Sequence, residues 1–143
     1  MVEILPELWI GSKSVIEDDK FMMDNKFACI INCTKDNINS NMVNVYIDMN
    51  VSKFEYNMEL INRLEPLTEY IHDYICKNKS VLIYCDDGYQ ISPVIIVGYI
   101  MKYGKLSMKQ SIEMVRTKSP KSFETVNNFD IALQRFERDI EKK

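Results

Sequence analysis

The apolar positions of this chain change period partway along it. In residues 4–10, 28–32 and 43–49 they gather in short runs, the last alternating apolar and polar residues, and these patterns predict three strands. Between the first two, Val15-Ile16 and Phe21-Met22-Met23 have helix-like spacing inside an acidic, polar stretch. Residues 37–41 are polar enough for a turn or loop. From Met58 onward the period lengthens, and Leu60, Ile61, Leu64, Leu67, Ile71, Tyr74 and Ile75 fall on one helical stripe. Pro66 interrupts it, so either a kink or a new helix with the proline in its first turn is expected there.

Residues 81–84 read as a short buried strand, followed by a glycine-containing loop and a helix from near Ser92 to Tyr103. Gly104 is the expected left-handed cap. Ser107-Met108-Lys109-Gln110 has the form of a capping box and opens the next helix, which Ser119-Pro120 closes. A final helix is expected over 125–141, with Phe129, Ala132, Leu133, Phe136 and Ile140 facing inward. Strands, crossover helices and then a further strand imply an α/β fold: a central, mainly parallel twisted sheet with helices on both faces. At 143 residues and 46% hydrophobic content the chain is expected to form a single domain, 1–143, whose core needs no metal or disulfide.

Charge narrows the classes of partner. A net charge of −3 provides no broad cationic surface, so no nucleic-acid partner is expected. The absence of an 18-residue apolar run or a charged-then-apolar leader argues against a membrane role and for a soluble, intracellular protein of the cytoplasm, with the nucleus left open. Cys29, Cys33, Cys76 and Cys85 lack Cys-x-x-Cys spacing and lie in apolar or strand-like contexts, which fits a reducing compartment better than a disulfide framework or a zinc site. No metal and no cofactor are expected. The abundance of Asn, Ile, Lys and Tyr is what an AT-rich genome, such as that of a virus or a parasite, writes.

Chemistry concentrates in one segment, Tyr84-Cys85-Asp86-Asp87-Gly88-Tyr89-Gln90-Ile91-Ser92, where a strand turns through a loop into a helix. Cys85 stands where backbone N–H groups and a helix N-terminus lower a thiol pKa. Gly88 permits close backbone approach, and Pro93 suits a first helical turn. The segment resembles the phosphate loop of cysteine-dependent phosphatases, His-Cys-x-x-Gly-x-x-Arg-Ser, with Tyr84 in place of the histidine and Ile91 in place of the arginine. The resemblance extends over nearly the whole chain and is closest to the small dual-specificity phosphatases, including the compact poxvirus type. Ile4-Leu5-Pro6-Glu7-Leu8-Trp9-Ile10-Gly11 is similar to the family's opening strand pattern. Phe27-Ala28-Cys29-Ile30-Ile31-Asn32-Cys33-Thr34 is similar to its second strand, with a terminal Asn-x-Thr.

The resemblance implies the fold, and its departures imply a lost reaction. An arginine fork grips two phosphoryl oxygens through charge-assisted bonds of roughly 1.5–3 kcal/mol each, and one arginine acting on such a transition state contributes ~10³–10⁵ in rate. Isoleucine has no donor. Asp86 and Asp87 oppose both a thiolate and a phosphate dianion, since unit charges about 4 Å apart repel by ~4 kcal/mol at an effective dielectric near 20. The family's general acid is an aspartate some thirty residues before the cysteine, and aligning the third strand puts it at about Val51, between Asn50 and Ser52, with no carboxylate from Met49 to Phe54 and Glu55 reached only by a shift of four. A pseudophosphatase is therefore expected, one that binds a signalling protein as scaffold or competitor, with Cys85 a vestigial nucleophile. The alternative is a slow or specialised phosphatase that still attacks through Cys85. His72 reads as an ordinary helix residue, and Arg116, Lys118 and Lys121 as solvated surface.

Overall fold

The computed structural model describes residues 1–34, 45–46, 53–86, 91–123 and 130–142. The chain starts as a hairpin, β1 (Val2–Leu5) and β2 (Leu8–Ser12), where one strand over 4–10 was the expectation. Pro6 supplies the fixed φ of a tight turn and Glu7, at φ 71°, its left-handed third position. The Glu7 N–H donates to the Glu3 carboxylate at 3.1 Å, and the Glu7 carbonyl accepts from Val81 N–H at 2.7 Å, tying the turn to the sheet. Two short helices follow, α1 (Lys13–Ile16) and α2 (Asp19–Asp24), the second capped by the Asp18 carboxylate on Phe21 N–H.

Next come β3 (Cys29–Asn32) and β4 (Val45–Tyr46); the remainder of the strand expected over 43–49 lies outside the described residues. Helix α3 (Lys53–Cys76) then leads to β5 (Val81–Cys85), and α4 (Ile91–Gly104), α5 (Met108–Lys118) and α6 (Asp130–Glu141) complete the order. The sheet runs β1-β2-β5-β3-β4, parallel except for the β1–β2 hairpin. Two faces follow from the strand period. Val81, Ile83 and Cys85 join Leu8, Ile10, Cys29 and Ile31 in the large core with α3, α4 and α6. Leu82 and Tyr84 join Ile30 in a smaller one with Ile16, flanked by Trp9, Val15, Met22 and Phe27.

Helix α3 is one element with Pro66 inside it, so of the two alternatives expected there the new helix does not form. Pro66 and Asn62, whose carbonyl loses its helical partner to the proline, are both exposed, so the lost bond falls on the solvent side of the helix. On the opposite side Leu60, Leu64, Leu67 and Ile71 are buried, and the Thr68 hydroxyl donates to the Leu64 carbonyl at 2.7 Å. Gly98 lets α4 approach this stripe closely: a Cβ there would lie 3.2 Å from Leu64 Cδ2. Gly104 is the last helical residue of α4 and not its left-handed cap; Lys105 takes that conformation at φ 56°, turning Leu106 back onto the core.

The capping box at α5 is formed as read. Ser107 Oγ accepts from Gln110 N–H and Gln110 Oε1 from Ser107 N–H, each at 3.1 Å. Ala132, Leu133 and Phe136 of α6 are buried as expected, Ile140 packs at the edge, and Phe129 with the expected first turn lies outside the described residues. Two stability measurements check this packing. Leu64→Ala is expected to cost about 2–5 kcal/mol in urea unfolding, because a fully buried side chain at the α3–α4 contact leaves a cavity. Ser107→Ala, which removes one cap on an exposed helix start, is expected to cost only about 1 kcal/mol in the same assay.

Candidate functional site

β5 is the central strand, and its C-terminal end is where a parallel sheet of this kind places a binding site. Cys85 closes that strand. It pairs in register with Ser12 of β2, while on the other side Cys33 N–H donates to the Tyr84 carbonyl at 2.8 Å. The Lys13 N–H reaches the Asp86 carbonyl at 3.4 Å. The ends of β2 and β3 therefore flank the sulfur-bearing residue. Cys85 itself is 2% exposed, with its side chain in the larger core.

The end of β3 is shaped by its own side chains. Asn32 Oδ1 accepts from both the backbone N–H of Thr34 at 2.8 Å and its hydroxyl at 2.7 Å, with both residues fully buried. This local turn explains the Asn-x-Thr signature physically: it stops the strand beside Cys85 and satisfies polar groups that water does not reach. Between these residues lies Cys33, whose thiol is held well above its usual range by burial and secondarily by Cys85, with the Arg63 guanidinium pulling it down. Neither Cys33 nor Arg63 was a site residue by sequence reasoning. The only signal for Arg63 was a cation at the margin of an apolar stripe, and the adjacency of Cys33 to Cys85 depends on strand order.

Among the described residues of the loop, Cys85 and Ile91 share the larger core and Tyr84 is set apart from them. Tyr84 points to the opposite face of the sheet from Cys85, where its fully buried hydroxyl has no hydrogen-bond partner among the described residues. Burial, and then the nearby Cys33 charge, push its phenol up to about 12. Ile91 opens α4 and is 8% exposed, packed into the larger core. Ser92 beside it is fully buried, and its Oγ finds no hydrogen-bond partner among the described residues, Cys85 included. Asp86 is exposed, so solvent weakens the repulsion expected from its carboxylate. Asp87, Gly88, Tyr89 and Gln90 lie outside the described residues, as do Asn50, Val51 and Ser52.

The remaining candidates lie elsewhere. His72 contacts Tyr99 and Tyr103, late in α4 and about 12 and about 18 Å along that helix from Ile91 at ~1.5 Å per residue. Arg116 donates through Nε to the Ser122 carbonyl at 3.1 Å and lies over the Phe123 ring, which fixes the chain after α5. Among the described residues no three of His, Cys, Asp or Glu come together as a metal site, and no helix is long and apolar enough to cross a membrane.

This geometry has close counterparts among known proteins. The family profile described as dual specificity phosphatase, catalytic domain, matches residues 8–139. The protein named "Putative tyrosine phosphatase 123R" from Invertebrate iridescent virus 6 is 27% identical over 136 residues, covering 95% of this chain and 91% of its own length. In the crystal structure of human DUSP28, the fold is shared at a TM-score of 0.83 and 19% identity, over 98% of this chain and 94% of that one. The human tyrosine phosphatase-like serine/threonine/tyrosine-interacting protein shares it at 0.75 and 20% identity, over 97% and 96%. With the profile covering both the strand that ends at Cys85 and all the helices around it, the chain belongs to the dual specificity phosphatase family.

Proposed function

We propose that this chain is a pseudophosphatase that uses the phosphatase scaffold to bind a protein partner in phosphorylation signalling rather than to turn over phosphate. One observation carries the reading: at the head of α4, where the family's loop needs a cation, Ile91 is packed into the apolar core. A phosphoryl group has no fork to meet there, and the developing charge of a transition state goes unneutralised. The unpartnered Ser92 hydroxyl and the turning away of Tyr84 support the same reading, because neither supplies a hydrogen bond to the Cys85 sulfur. The human phosphatase-like neighbour is named for interacting with serine, threonine and tyrosine, which is a precedent for binding on this fold.

The acid at the rim sets the preference of such a pocket. With Asp86 exposed and Asp87 next to it in sequence, a cationic or neutral group of the partner is favoured over an anion. A second reading, a slow phosphatase attacking through Cys85, is favoured by Arg63, whose charge reaches Cys33 in the strand beside Cys85. Such an enzyme would use a cation from α3 in place of the loop's own.

Hydrolysis of a small aryl phosphate separates the two. The native chain is expected to fall about 10³-fold or more below an active family member and to be no faster than its Cys85→Ser variant. Turnover that disappears in Cys85→Ser and in Arg63→Ala, yet survives in Ile91→Ala, would establish the slow enzyme instead. In titration calorimetry a phosphotyrosine peptide is expected to show no micromolar binding; saturable binding abolished by Arg63→Ala would refute the inert pocket.

A further inference from the structure

Away from Cys85, the chain's single histidine sits in a second cluster of reactive side chains. His72 and Cys76 are one turn apart on α3, and the Cys76 sulfur lies 3.2 Å from His72 Nε2. The other ring nitrogen, Nδ1, is 3.0 Å from the Tyr99 hydroxyl of α4. The imidazole is stacked on the Tyr103 ring at 3.8 Å between centroids and 11° between planes. A thiol within reach of a base, and a base held from behind by a third group, is the arrangement that activates a nucleophile. Unlike the other three cysteines, which are buried, Cys76 is exposed.

We propose that Cys76 is a site of S-thiolation by a small disulfide such as oxidised glutathione, with His72 as the proton acceptor. Both requirements, access and activation, meet only at this cysteine among the described residues. Cys76 stands in the last turn of α3, and the thiolate is the nucleophile in disulfide exchange, so its proton needs a nearby acceptor. His72 Nε2 provides it when Nδ1 carries the hydrogen and donates to the Tyr99 oxygen. Tyr99 is suited to accept: burial first, and then the charges of Cys76 and Tyr103, push its phenol up to about 12, so it remains protonated and supplies an oxygen lone pair. Stacking on Tyr103 fixes the ring plane. Lys77 and Lys79, exposed just beyond Cys76 in sequence, suit the carboxylates of a glutathione-like disulfide.

The exchange balances without a further reagent. The Cys76 proton passes to His72 Nε2, the thiolate attacks one sulfur of the disulfide, and the old S–S bond breaks as the new one forms. The departing thiolate takes the proton back from His72 and leaves as a thiol. The protein gains a mixed disulfide and one small thiol is released.

The test is to incubate the full chain with oxidised glutathione near neutral pH and follow each cysteine by peptide mass spectrometry. Modification is expected at Cys76 alone, and its rate is expected to fall about tenfold in His72→Asn and measurably in Tyr99→Phe. Cys29, Cys33 and Cys85 are expected to remain unmodified in all three proteins, which shows that the variants are folded. If His72→Asn exposes the buried cysteines, Tyr99→Phe decides alone, since it keeps the ring and removes only the hydrogen-bonding oxygen. Equal rates at Cys76 in the native protein and in a folded variant would overturn the proposal, as would modification of native protein at Cys85 in preference to Cys76.

Discussion

Strand β5 is enclosed on all sides, and the rest of the fold is arranged around it. Its edges are hydrogen-bonded to β2 and β3, and its faces are covered by two separate apolar clusters. A strand in that position has no polar side to offer solvent, so Val81, Leu82, Ile83, Tyr84 and Cys85 are all buried. Every neighbouring element is then placed by what it covers: α3, α4 and α6 over the odd-numbered residues, α1 and α2 over the even-numbered ones.

The same enclosure determines what the strand's C-terminal end presents. Period two sends Cys85 and Tyr84 to opposite faces, so two residues adjacent in sequence are separated by the sheet itself. At the start of α4 an aliphatic side chain takes the place where a phosphate-binding loop holds a guanidinium. Burying a cation there without an anion would carry a desolvation cost, whereas Ile91 adds to the apolar core. Stability and anion binding pull this position in opposite directions.

Much of the fold was legible in the chain. The capping box at Ser107, the buried stripe of α3 and the inward residues of α6 depend on contacts within a turn or two, which local spacing reports directly. Two readings failed where a tertiary contact overrode a local signal. The run over 4–10 divided at Pro6 because Glu7 anchors a turn to Val81. At Pro66 one of the two alternatives, a new helix, did not form, and the proline lies on the exposed side of α3. Lys105 took the left-handed cap ahead of Gly104 because Leu106 had to return to the core.

By itself the sequence determined the element types, the apolar faces and the replacement of arginine by isoleucine, because each is a property of one segment and its period. Tertiary structure alone decided that Cys33 neighbours Cys85, that Arg63 acts on Cys33, and that His72 meets the tyrosines of α4. Cys33 and Cys85, Arg63 and Cys33, and His72 and the α4 tyrosines are each far apart in the chain. Their meeting follows from the strand order β2-β5-β3 and from the packing of α3 against α4, and neither leaves a local signature in the spacing of residues.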